Sequence, residues 1–225
     1  MKTIKGYKGL PMEGLIATWY ARITRQDLKR HKRMAEQLVK KIPAGGSVLE
    51  IAPGPGYFCV ELAKLGDYRI TGLDISKSFV EIARQNAAAA GLNIDFRLGN
   101  ASDMPFDNEA FDFTFCQAAF KNFTQPVQAI AEMYRVLRPG GLAVIVDLRR
   151  DASAEDIEQE IRGMGLGRVD AAMTRWTFKQ MLLKSAYSIV DIESLISQTP
   201  FGQGRIDANG IGFQIWLEKR VAPGK

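Results

Sequence analysis

The stretch from Val48 to Phe58, Val-Leu-Glu-Ile-Ala-Pro-Gly-Pro-Gly-Tyr-Phe, constrains this chain more than any other. A short apolar run, a Gly/Pro cluster and then an apolar helical pattern at Val60, Leu62 and Ala63 predict a strand, a tight turn and a helix. In open α/β sheets the ligand crevice lies beyond the carboxyl ends of the strands, and a glycine there lets backbone approach a ligand with no Cβ in the way. A ligand is expected at this turn.

The rest of the chain repeats the same rhythm. Two amphipathic helices come first. Leu15, Ile16, Trp19 and Ile23 recur at helical spacing from Met12 to Ile23, and Leu28, Ala35, Leu38, Val39 and Ile42 share one face from about Arg25 to Lys41. Beyond the turn, strands are expected at Tyr68 to Asp74, Asn93 to Leu98, Phe111 to Cys116 and Leu142 to Leu148. Between them lie a helix capped by Ser76 and stopped at Gly91, and another from about Pro126 to Leu137. Strands alternating with helices in this way predict a mostly parallel sheet covered on both faces. Residues 151–175 break the rhythm with an acidic helix, Ala154 to Arg162, and a glycine-spaced segment, Gly163 to Gly167. A helix at Thr177 to Ala186 and strands at about Ser188 to Ser197 and Gly210 to Glu218 complete the expectation. Pro43 to Gly46 is the sharpest boundary, dividing a helical cap, 1–43, from a ligand-binding domain, 44–225, in which 151–175 is an insertion.

Composition narrows the chemistry. With 46% hydrophobic and 24% charged residues, 225 residues make an ordinary globular chain. No apolar run approaches about 20 residues and no signal-peptide pattern opens the chain, so a cytoplasmic protein without membrane insertion is expected. The two cysteines, Cys59 and Cys116, fall inside predicted elements and argue against a disulfide framework, and a single histidine precludes a Cys/His metal site. The net charge of +5 is uneven: residues 1–41 hold eleven Lys/Arg against three acids, leaving the remainder at −3. Such an arm suits nucleic acid, an anionic membrane or an acidic substrate, or is simply a solvated face. His31 falls on the apolar face of the second helix, where a packed residue is expected more than a base, and Tyr20 sits where a folded-over cap would bring it to the ligand.

Three features define the ligand. Asp74 ends the second strand twenty residues after Gly54, where a carboxylate accepts hydrogen bonds from a ribose; this fits a dinucleotide or an adenosyl cofactor. Pro53 and Pro55 remove two backbone N–H groups, so the turn cannot form the run of donors that cradles phosphate, and Cys59 stands where a dinucleotide fingerprint has its third glycine. Glu50 favours an ammonium or sulfonium and repels a diphosphate.

These motifs, Glu50 to Gly56, Asp74 in Gly-Leu-Asp-Ile-Ser, Gly99 to Phe106, Phe111-Asp112 and Arg135-Val-Leu-Arg-Pro-Gly-Gly141, resemble in order and spacing the class I S-adenosylmethionine-dependent methyltransferases. The resemblance covers about residues 43–150. It implies a three-layer Rossmann-like sandwich, a seven-stranded mostly parallel sheet with an antiparallel last strand, and an N-terminal helical cap. It also implies that Glu50, Ala52, Gly54, Gly56 and Tyr57 line the methionine end of S-adenosylmethionine, whose product is S-adenosylhomocysteine. Asp74 would hold the ribose, Ile75 would pack on the adenine, Asn100 and Ala101 would read its edge, and Cys116 and Gln117 would border the sulfonium. Ala52 replaces the usual first glycine, which alanine can do if its φ is negative, and Asn100 replaces a common aspartate.

The resemblance implies methyl transfer. After the fourth strand Cys116-Gln-Ala-Ala-Phe-Lys-Asn-Phe123 lacks both the Asn/Asp-Pro-Pro-Tyr/Phe of base-methylating members and the metal-holding aspartates of catechol-type members. A small-molecule acceptor without metal is therefore expected, with nucleic acid disfavoured. No base is assigned; His31, Tyr20 and Gln117 are the weak candidates. Lys121, Asn122, Arg149 and Arg150 are expected at the crevice mouth, the first three joining Tyr20 as candidate contacts to an anionic substrate. Two other readings stay open: a non-catalytic cofactor-binding or RNA-associated protein, and a nicotinamide oxidoreductase that conflicts with the prolines, Glu50 and Cys59. The acceptor and the oligomeric state are not legible.

Overall fold

The computed structural model describes residues 6–8, 12–165, 167–178 and 182–221. Its centre is a seven-stranded sheet of β1 (Ser47–Ile51), β2 (Arg69–Asp74), β3 (Asp95–Leu98), β4 (Phe111–Gln117), β5 (Leu137–Leu148), β6 (Arg205–Asn209) and β7 (Gly212–Glu218), ordered β3-β2-β1-β4-β5-β7-β6. The pairs among the first five are parallel, whereas β7 runs antiparallel to both β5 and β6. Order reverses between β1 and β4, which places the crevice at their carboxyl ends.

Alternation along β1 shows how the layers form. Val48 joins a core with α2 (Leu28–Leu38), α3 (Tyr57–Ala63) and α4 (Lys77–Ala89), while Leu49 and Ile51 face α5 (Pro126–Val136) and α8 (Ile189–Ser197). Both faces of the strand are thus buried, Glu50 included. Ser76 caps α4 by accepting from the Phe79 amide, and Gly91 follows it at φ +70°. Beyond β5, α6 (Ala154–Gly163) and α7 (Arg168–Thr177) precede a small separate core of Ile157, Ile161, Phe178, Leu183 and Ile211.

Four expectations change. Residues 188–197 are helix α8, not a strand: Ser188 and Asp191 form a reciprocal capping box, and Ile192 and Ile196, one turn apart, are both buried. The sixth strand is Arg205–Asn209, a polar edge strand with no apolar alternation to announce it. The helix expected at 177–186 starts earlier, with Arg168–Thr177 as α-helix and Phe178 and Leu182 still helical, while residues 166 and 179–181 of those segments are outside the described residues. The first cap helix, α1 (Gly14–Thr24), is where expected but turned over. It buries Ala17 and Ala21 and leaves Leu15, Ile16, Trp19 and Ile23 exposed.

Candidate functional site

The turn after β1 spends its own donors. The Gly54 amide donates to Asp74 Oδ2 at 3.0 Å and the Gly56 amide to the Pro53 carbonyl at 3.0 Å. With prolines on either side of Gly54, this leaves no row of free amides for a diphosphate. Gly54 has φ +54°, and a Cβ there would meet nothing within 4 Å, so its surface opens on free space. Gly56 has φ +76° for the opposite reason: a Cβ would lie 2.8 Å from the Phe96 ring and 2.9 Å from the Ala83 side chain, so only glycine lets α3 start this close to α4 and β3.

Ala52 also has positive φ, +55°, so the condition under which alanine would replace glycine without strain is not met. Ala118, at the end of β4, has φ +56°. The chain therefore leaves both strands at the switch point through left-handed alanines. Their strain is offset by the Ala52 amide donating to Leu73 O at 2.7 Å and the Ala118 amide to Val146 O at 2.8 Å.

Two carboxyl groups lie under the turn. Asp74 is 4% exposed, and its Oδ1 accepts from the Ser76 amide at 2.9 Å. Burial, only partly opposed by these amides, pushes its pKa up to about 6. Each oxygen keeps a lone pair for a ligand hydroxyl. Glu50 is 3% exposed and accepts from Cys59 Sγ at 2.8 Å, a contact the sequence did not disclose. Burial pushes it up to about 7, with the Asp74 charge adding a smaller push. A fixed cation beside Glu50 would restore its ionised form. Next to Cys116, fully buried at the end of β4, Gln117 Oε1 is buried without a hydrogen-bond partner. An acceptor orphaned at a strand's carboxyl end is a place for a ligand donor.

The remaining wall comes from after β3. Asn100 Oδ1 accepts from the Ser102 amide at 3.0 Å, Ala101 packs on the core, and Ile75 is half exposed beside Asp74. Gly6 lies directly over this wall, since a Cβ on it would fall 2.6 Å from Ile75 Cδ1 and 2.9 Å from Asn100 Nδ2. From Gly6 the chain crosses to the β4 side, where Tyr7 bridges Phe123 and the Lys8 amide donates to Asn122 O at 2.7 Å. Burial raises the Tyr7 hydroxyl, and the charges of Asp74 and Asp147 raise it further. No periodicity marked residues 6–8 in the sequence; only the tertiary fold lays them across the crevice.

The cap is latched to the same rim. Glu13 accepts from the Lys77 and Ser78 amides at 3.0 Å each, and Ser76 Oγ donates to Met12 O at 2.6 Å. The Tyr57 hydroxyl donates to Ala21 O at 2.8 Å, so this tyrosine ties the cap to the turn. Tyr20 stacks edge-on against Phe79, and burial raises its hydroxyl. His31 lies against the Tyr57 ring at 5.8 Å, its Nδ1 buried without a partner and its pKa lowered by burial. It sits on the inner side of the cap, against α3.

Of the expected mouth residues, Lys121 is buried, bonded to Asp147 Oδ1 at 2.8 Å and to Ala118 O. Arg149 pairs with Asp151 at 2.8 Å and Arg150 with Asp191 at 2.6 Å. Around them stand Phe120, Phe123 and Tyr187, with Lys8 Nζ donating to the Tyr187 hydroxyl at 3.1 Å. Phe120 and Phe123 are buried beneath the mouth and Tyr187 is partly exposed; the expected cations are paired and one ring faces the opening.

Comparison with known proteins finds relatives in sequence and in fold. Residues 49–145 match the family model described as a methyltransferase domain. A demethylmenaquinone methyltransferase of Deinococcus radiodurans is 38% identical over 107 residues, 47% of this chain and 44% of that protein. A ubiquinone/menaquinone biosynthesis C-methyltransferase of Geotalea daltonii is 33% identical over 120 residues, 52% of this chain and 51% of that one. The chain thus spans about half the length of the curated relatives it matches. A crystal structure from Methanococcus maripaludis, of a protein to which S-adenosyl-L-methionine-dependent methyl transfer is ascribed, superposes with a TM-score of 0.77 over 99% of both chains at 21% identity, a likeness of fold.

Proposed function

We propose, from the premise that the chain carries a class I S-adenosylmethionine-dependent methyltransferase domain, that this protein moves a methyl group from that cofactor to an electron-rich carbon of a small aromatic acceptor. The observation that carries the reading is the pair of buried carboxyls under a phosphate-averse turn. Asp74 is suited to a ribose, and Glu50 to a positive charge.

Bound S-adenosylmethionine supplies an electrophilic methyl on sulfur and leaves as S-adenosylhomocysteine. The chain's own part is to place and to exclude. Ionised Glu50 and the Gly54 surface hold the cationic end, Asp74 holds the ribose, and Ile75, Asn100 and Ala101 take the base. Gln117 Oε1 accepts from the amino group or polarises the acceptor. Tyr7, Tyr20 and the strap of residues 6–8 keep water from the crevice. Alignment of this kind supplies roughly 7–11 kcal/mol of a displacement barrier. An acceptor that is already a stabilised carbanion or enolate needs no histidine, and His31 is not placed to provide one.

An aromatic acceptor is supported by the partly exposed ring of Tyr187, packed on buried Phe120, and by the quinones in the names of the two relatives. The expected anionic acceptor would have to compete with Asp147 for Lys121 and with Asp151 for Arg149, so we assign ring recognition to Tyr187. No group of three His, Cys, Asp or Glu converges among the described residues, and the reading calls on no metal. The test is incubation with methyl-labelled S-adenosylmethionine and reduced demethylmenaquinone, with product identified by mass. Carbon methylation is expected. Calorimetry showing no S-adenosylmethionine binding, or tight nicotinamide dinucleotide binding instead, would overturn the reading.

A further inference from the structure

The first cap helix is amphipathic the wrong way round for a helix that faces only water. It turns its small residues, Ala17 and Ala21, to the protein and its large apolar ones outward, with Leu15 88% and Trp19 61% exposed and Ile16 and Ile23 beside them. Single exposed apolar residues are ordinary; four on one face of an 11-residue helix form a patch that a partner covers. Arg22 falls on the same face, and Arg25, Lys29, Arg30, Lys32 and Arg33 follow it exposed, against only Asp27 and Glu36. Between Arg22 and Glu36 six Lys/Arg meet two acids, a charge of +4 on this short stretch.

We propose that α1 and the basic start of α2 form a docking surface for an anionic membrane. Apolar side chains that include a Trp, flanked by cations, are the composition that lies in a headgroup interface, while no helix among the described residues is long and apolar enough to cross one. A nucleic acid would use the cations but gain nothing from Leu15, Ile16 and Ile23. A second copy of the chain would meet this patch with itself about a two-fold axis, setting one cluster of positive charge against another.

The surface is held rigidly rather than dangling. Glu13 caps α4, the Gly14 amide donates to Ser78 Oγ at 2.9 Å, and Tyr57 grips Ala21 O, so docking fixes the crevice relative to the lipid. A patch beside the crevice rim would let an apolar acceptor pass from the bilayer without crossing water. The docking itself does not rest on methyl transfer.

The test is flotation of the full chain, without cofactor or acceptor, with vesicles of phosphatidylcholine alone and of phosphatidylcholine with phosphatidylglycerol. Binding to the anionic vesicles alone is expected, falling about fivefold for each basic residue removed at Lys29, Arg30 or Arg33, the ratio for about 1 kcal/mol per charge near the surface. Trp19→Glu with Leu15→Glu should abolish binding while the melting temperature stays unchanged, as both side chains are exposed. Failure to float with anionic vesicles, or unaltered flotation of the double variant, overturns the proposal. So does light scattering that shows a dimer dissolved by Leu15→Glu, or salt-sensitive RNA retention without vesicle binding.

Discussion

Replacing Glu50 by glutamine should make the protein more stable and less able to bind its cofactor, and the two effects should separate with pH. The carboxyl is buried and its pKa is pushed from 4.5 to about 7. Between those values the folded chain holds a proton that the unfolded chain has released, so stability falls as pH rises from about 4.5 and levels off above about 7. At about 1.4 kcal/mol per unit, the ionised group costs the empty fold about 3 kcal/mol above neutrality. Glutamine has nearly the same shape, can still accept from Cys59 Sγ, and does not titrate. Any packing difference is the same at every pH, so the informative quantity is the change in the difference. The variant should gain about 2 kcal/mol on wild type between about pH 5 and pH 8. In a chain of this size that is roughly 4–8 °C in melting temperature. Calorimetry should show the reverse for S-adenosylmethionine. Wild-type affinity should fall about tenfold per pH unit below 7, as the cation must displace the Glu50 proton, and the variant should bind about 1.5–3 kcal/mol more weakly at pH 8 with little slope. Melting curves of the two proteins that stay parallel from pH 5 to pH 8 would refute the argument, because Glu50 would then not be the buried group that titrates.

Asp74→Ala removes the carboxylate between the Gly54 and Ser76 amides, and cofactor affinity measured by calorimetry should drop by about 1–3 kcal/mol; unchanged affinity would remove Asp74 from the site. Ala52→Gly relieves a left-handed alanine, worth about 1–2 kcal/mol, against about 0.4–1 kcal/mol of added chain entropy, so urea unfolding should show a small gain in stability where alanine-to-glycine changes ordinarily lose. Gly56→Ala drives a Cβ against Phe96 and Ala83 at positive φ and should cost roughly 2–4 kcal/mol in the same assay. Lys121→Met strips the partner from buried Asp147 and should cost about 3–5 kcal/mol; a loss below about 1 kcal/mol would show the pair to be solvent-relaxed.

The parallel sheet was legible because its strands are buried on both faces. Leu49 and Ile51 need one layer of helices and Val48 another, and runs so apolar admit few other homes. The turn was legible for a similarly local reason: Pro53, Gly54, Pro55 and Gly56 limit the backbone by themselves, and Asp74 stands at the end of the adjacent strand. At the C-terminal end, Ser-Ile-Val-Asp-Ile-Glu-Ser-Leu-Ile-Ser satisfied both periods, and only the capping box with buried Ile192 and Ile196 selected helix.

What the sequence determined by itself is therefore the chemistry that neighbours along the chain can enforce: strand, turn, capped helix, and a carboxylate at each of two strand ends. The tertiary structure decided what depends on residues far apart. It supplied the Cys59 contact that occupies Glu50, the Asp147 that takes Lys121 out of the substrate's reach, and the strap of residues 6–8 over Ile75 and Asn100. It also decided which face of α1 looks outward. Helical periodicity finds an apolar face but not its direction, because that depends on whether the surface it meets has room for leucine and tryptophan or only for alanine.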